Sequence, residues 1–64
     1  MTKKFDTELG TITVRNVMLE GEFNDLFEGI ELKDESGDIV EVEGYRDIDE
    51  MTADEVVGIF SKYF

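Results

Sequence analysis

Carboxylates are the side chains with which this chain could do chemistry: it has 17 Asp and Glu against 6 Lys and Arg, with no His and no Cys. Two carboxylates held together can act as proton donor and acceptor, or can bind a divalent cation. The densest group is Asp47-Ile48-Asp49-Glu50, and a metal held near Asp47 and Asp49 would be the means of cutting a DNA strand. Acids in front of a helix have a plainer use, because they favour the exposed N–H groups of its first turn. A cluster without geometry does not define a site. Asp34, Ser36 and Asp38 alternate like the ligands of a calcium loop, yet the sixth position is Ile39 rather than Gly and the twelfth is Tyr45 rather than Glu. The sharp turn and the bidentate ligand are both missing, so this stretch is a hairpin turn. Ser36 and Ser61 have no His to activate them. The Gly residues stand singly, without the strand, loop and helix of a phosphate-binding motif. No catalytic residue, metal ligand or cofactor is assigned, and the chain reads as a non-enzymatic module.

What remains is the surplus itself, a net charge of −11. A small domain this acidic repels DNA, RNA and anionic membranes and attracts basic protein surfaces. Carboxylates on a rigid surface could occupy the groove in which a protein takes nucleic-acid phosphates, with fast association that weakens as salt rises. The candidate partner-binding acids have outward strand parity or lie on loops: Glu20, Glu22, Asp25, Glu31, Glu41, Glu43, Asp47, Asp49 and Glu50. Glu28, Asp34, Glu35 and Asp38 share that character. The expected partner is a basic nucleic-acid-binding protein. Two other readings stay open. The acids could serve solubility alone, or the chain could act on DNA, binding it through a local basic patch of Lys4, Arg15 and Lys33 on an open sheet face or nicking it with a metal held by carboxylates near Asp47 and Asp49.

The elements that must carry these acids can be read from periodicity. Lys3 to Thr7 and Gly10 to Leu19 are expected strands joined by a turn at Glu8-Leu9-Gly10; in the second, Ile12 and Val14 alternate with Thr11, Thr13 and Arg15. Past Asn16 the apolar positions become Val17 and Leu19, a switch of parity that implies either a β-bulge near Arg15 or Asn16, or the end of the strand. Glu20 to Asp25 is a loop with one aromatic, Phe23. Ile30 to Lys33 and Ile39 to Glu43 form a hairpin around Asp34-Glu35-Ser36-Gly37, with Val40 and Val42 inward, Glu41 and Glu43 outward, and Ile39 on the wrong side. Thr52 followed by Glu55 is a capping-box signature that starts a helix at Ala53. Ala53, Val56, Val57, Phe60 and Phe64 make its apolar stripe. Gly58 implies either close backbone approach or a tolerated weakness. The result is a single α+β domain over residues 1–64, a four-stranded antiparallel sheet followed by one C-terminal helix, ββββα.

Size adds one expectation. A chain of about 60 residues buries only roughly 60% of the surface it exposes when unfolded, and without Cys or His it lacks disulfides and the commonest metal ligands. Self-association is the leading remedy, and the apolar residues exceed what one short helix covers. Ile39, Tyr45, Phe60, Tyr63 and Phe64 are the candidate oligomer interface, for a homodimer or a larger assembly. No apolar run approaches the roughly 20 residues of a membrane span, and Met1 to Asp6 has no signal-peptide stretch, which implies a soluble, cytosolic protein. In size, acidity and lack of a catalytic signature the chain resembles the small acidic anti-CRISPR proteins with which phages and mobile elements block host nucleases. Its strand order is similar to that of a few such inhibitors, whose four-strand and one-helix unit looks like the transcriptional positive cofactor four domain and associates through sheet and helix surfaces. The resemblance implies inhibition of a CRISPR effector nuclease in the cytosol of a host cell, and it assigns no functional residue. That domain's single-stranded DNA binding would fall in this chain to Lys4, Thr13, Arg15 and Lys33.

Overall fold

In the computed structural model, which describes residues 1–63, the chain forms β1 (Thr2–Thr7), β2 (Gly10–Glu20), β3 (Leu26–Lys33) and β4 (Ile39–Glu43), then a 3-10 turn (Ile48–Glu50) and a helix, α1 (Ala53–Ser61). The strands pair in chain order, each antiparallel to the next. The α+β architecture expected from the sequence, a four-stranded antiparallel sheet followed by one C-terminal helix, is therefore present. Each connection has its local cause. Glu8-Leu9 is a two-residue link, closed by Thr7, whose hydroxyl accepts from Leu9 N–H and donates to the Gly10 carbonyl. At Gly21–Asp25 the Gly21 N–H donates to the Asp25 carbonyl at 2.7 Å, and Asn24 takes the left-handed conformation (φ 63°) that its short side chain tolerates. Asp34 builds the third turn by accepting from the backbone N–H groups of Ser36 and Asp38, which explains its place there without calcium.

Alternation decides which side chains meet the helix. Phe5, Ile12, Val14, Ile30, Leu32 and Val40 share one face of the sheet and are buried against Val56 and Phe60 of α1, with Ile48 and Met51 completing the core. The 3-10 turn is an addition to the sequence reading. Asp47 Oδ1 accepts from Asp49 N–H to cap it, and its fully buried Ile48 plugs the core among what looked like a run of acids. The helix begins where expected: Thr52 Oγ1 accepts from Glu55 N–H at 3.2 Å. The Glu55 carboxylate meets the Thr52 hydroxyl at 3.5 Å, so only half of the reciprocal box forms. Along α1 the stripe runs through Ala53, Val56, Ile59 and Phe60. A Cβ on Gly58 would meet nothing within 4 Å, which makes that glycine a tolerated weakness rather than a close approach.

The parity switch in β2 has a different cause from either one expected. Pairing with β3 runs unbroken from Thr13↔Lys33 to Glu20↔Leu26, with no bulge and no early stop. Val17 and Leu19 therefore lie on the sheet face away from the helix, with Phe27 and Gly29 as their neighbours on β3. Leu19 lies across Gly29, where a Cβ would come within 2.5 Å of its methyl carbon, and the Phe27 ring lies over Gly21. Apolar side chains change face because the cover changes. On the helix side the chain turns at Gly44 (φ 110°), whose N–H donates to the Glu28 carbonyl, and the Arg46 carbonyl then accepts from the Asn16 side-chain amide at 3.3 Å. Residues 44–47 thus cross the sheet at Asn16, and the core lies to one side of that crossing. Beyond it β2 and β3 continue as a two-stranded arm, because pairing with β1 ends at Arg15 and pairing with β4 ends at Gly29.

Candidate interaction surface

Whether an acid can serve a partner depends first on whether the fold already uses it. Glu31 is used. Arg15 lies directly opposite it on β2 and donates from Nε to Glu31 Oε1 and from Nη2 to Glu31 Oε2, both at 3.1 Å, a bidentate pair. This bond, and then the Glu31 charge, raise the Arg15 pKa above its usual value. Glu31 is the cross-strand partner of Glu41, so Arg15 also offsets two like charges that would otherwise destabilise β3–β4. Asp47 is spent on capping the 3-10 turn. Glu35 is spent on tying two turns together: its Oε1 accepts from Thr11 N–H at 2.8 Å, and that bond holds its carboxyl below the usual range.

The remaining candidates fall in three places. Glu20, Glu22 and Asp25 sit at the tip of the β2–β3 arm, Glu41 and Glu43 on the outer face of edge strand β4, and Asp49 and Glu50 in the 3-10 turn. Their carboxylates have no hydrogen-bond or ion-pair partner among the described residues, where Arg15–Glu31 is the one ion pair formed. No three acidic side chains among the described residues converge as ligands would around a metal. A shallow cleft of about 260 Å³ lies beside the 3-10 turn, between Arg46, Asp47, Glu50, Met51 and Glu55.

The expected self-association residues also separate. Ile39, Tyr45 and Tyr63 are exposed, whereas Phe60 is only 5% exposed and belongs to the core. That correction follows from helix geometry, since Phe60 stands four residues after Val56 and shares its inward side. Phe64 lies outside the described residues. On the outer face Lys4, Thr13 and Lys33 form one cross-strand row and Arg15 the next, so the register brings the basic residues onto one face but leaves Arg15 engaged by Glu31.

The arm holds what the sequence left unplaced. Met18 and Leu26 are 58% and 66% exposed on the helix side, beyond the crossing segment, and Tyr45, 67% exposed, shares a cleft with Met18. Asn16, Val17, Met18, Glu28, Gly29 and Tyr45 line a cleft of about 260 Å³ there. Phe23 stands at the tip, 82% exposed. A signal of this arrangement in the sequence is Asn16, a polar residue at an inward position of a strand. No helix among the described residues is long and apolar enough to cross a membrane. No protein-family model matches the chain, and no curated protein or solved structure matches it at a significant level.

Proposed function

We propose that this protein is a non-enzymatic acidic interaction module that binds a basic nucleic-acid-handling protein and, as its resemblance implies, inhibits a nuclease such as a CRISPR effector. The observation that carries this reading is the set of carboxylates left without partners among the described residues: Glu20, Glu22, Asp25, Glu41, Glu43, Asp49 and Glu50. Self-repulsion at a net charge of −11 opposes compactness, and a cationic partner would relieve it. Strand geometry spaces Glu41 and Glu43 about 7 Å apart on a rigid edge, at two residues of strand rise. Such a row attracts a cationic groove by long-range steering. Self-association belongs to the same reading, with Ile39, at the end of β4 away from the arm, and Tyr63, after α1, as exposed apolar contacts.

The test is inhibition of DNA cleavage by purified CRISPR effector nucleases, with binding measured across a salt series. Inhibition that weakens with salt, and weakens further in Glu41→Lys/Glu43→Lys, supports the reading. Absence of inhibition together with retention on DNA at low salt moves the assignment to a DNA-binding module using the Lys4, Thr13 and Lys33 row. Magnesium-dependent plasmid nicking lost in Asp47→Ala/Asp49→Ala moves it to an enzyme.

A further inference from the structure

The bare side of the β2–β3 arm combines three features. Exposed Met18 and Tyr45 line a cleft, and exposed Leu26 lies on the same strand face. Both apolar strand residues there have a carboxylate as cross-strand partner, Met18 facing Glu28 and Leu26 facing Glu20. No Lys or Arg occurs between Arg15 and Lys33, so nothing in the arm neutralises those acids. An occupant must therefore be apolar along its length and cationic at its end. A second copy of this chain is a poor fit, since it would bring the same acids face to face. Nucleic acid and anionic lipid are repelled for the same reason.

We propose that this cleft receives an arginine side chain from the surface of a basic protein partner. The inference rests on the proposed role as an acidic module for a basic protein, and names its contact. The methylenes of an arginine would lie on Met18, its guanidinium on the Tyr45 ring, and its N–H fork on the Glu28 carboxylate. Lysine carries the same charge without the planar fork, so it is the weaker occupant.

The experiment is a titration of the intact isotope-labelled protein with capped tetra-arginine and tetra-lysine peptides at equal ionic strength, followed by amide chemical shifts. The expected result is saturable shifts centred on Met18, Glu28, Gly29 and Tyr45, with the arginine peptide binding more tightly. Glu28→Gln and Tyr45→Ala are each expected to weaken it about two- to fivefold. Tyr45→Phe should retain binding, and Glu8→Gln, in the turn between β1 and β2, should leave it unchanged. Shifts spread over every acidic segment, with equal affinity for both peptides, overturn the inference while leaving nuclease inhibition to be judged separately. So does a failure of both peptides to bind at low salt. Shifts of the same amides on raising protein concentration alone would assign the surface to a second copy, and also overturn it.

Discussion

One face of this sheet has two halves of opposite fate. On one side of the crossing segment, Ile12, Val14, Ile30 and Leu32 are completely buried beneath α1 and the 3-10 turn. On the other, Met18 and Leu26 continue the same inward parity and remain exposed. The strands do not change; the cover does. Apolar parity marks a face that can be buried, and only a second layer buries it. The outer face of the arm manages without such a layer, because Leu19 lies over Gly29 and Phe27 over Gly21, each glycine making room for a neighbour's side chain. Its inner face has no such arrangement, which leaves Met18 and Leu26 uncovered.

The largest test of this contrast is truncation on both sides of the crossing. Leu32→Ala should cost about 2–5 kcal/mol, comparable with the whole stability of a small domain at about 0.05–0.15 kcal/mol per residue. Met18→Ala and Leu26→Ala should change stability by no more than about 0.5 kcal/mol. Urea denaturation followed by circular dichroism measures all three, and a cost at Met18 equal to that at Leu32 would abolish the distinction between the halves.

Gly29→Ala comes next, at about 1–3 kcal/mol destabilising. Its Cβ would lie 2.5 Å from Leu19 and 2.6 Å from the Val42 carbonyl oxygen. Adding Leu19→Ala should not restore stability, since the backbone carbonyl cannot move aside as a side chain can. Recovery in the double variant would show that the outer face depends on Leu19 alone.

The helix that provides the cover can be adjusted in both directions. Thr52→Ala removes the acceptor for Glu55 N–H and should cost about 1 kcal/mol. Gly58→Ala fills open space and should gain up to about 1 kcal/mol. Melting temperatures that move in the same direction for both would contradict a capping role for Thr52 or a tolerated weakness at Gly58.

The smallest effect is a pH dependence. The folded-state pKa of Glu35 is lowered by its bond from Thr11, so its contribution to stability is present above the usual value of 4.5 and is lost as pH falls through the folded value. Glu35→Gln should therefore be less stable than the parent at neutral pH, and the gap should close on acidification. Protonation of the other acids relieves repulsion in both proteins and cancels in the difference. A gap that persists at low pH would mean that the side chain acts through packing rather than charge.

Much of the fold was legible in the sequence because its signals are local. Period-two alternation gave Ile12 with Val14 and Val40 with Val42 their inward side, turn residues marked Asp34–Gly37, and Thr52 marked the helix start. The candidate surface was less legible. Glu31 and Glu41 have the same outward parity, yet one is held by Arg15 and the other is not, because the pairing comes from cross-strand register rather than neighbouring positions. Phe60 and Tyr45 are both aromatic, but one lies under the sheet and the other beside an uncovered cleft.

By itself the sequence determined the order of strands and helix, the ends of most elements and the excess of negative charge, since each depends on residues only a few positions apart. The tertiary structure decided where the crossing segment lies, that Ile48 and Met51 join the core, that β2 continues straight through its change of parity, and which carboxylates find partners inside the fold. Those outcomes depend on Gly44 meeting Glu28 and Asn16 meeting Arg46 across the sheet. Contacts between residues so far apart along the chain leave no period or spacing to read, because they exist only once the two layers have closed.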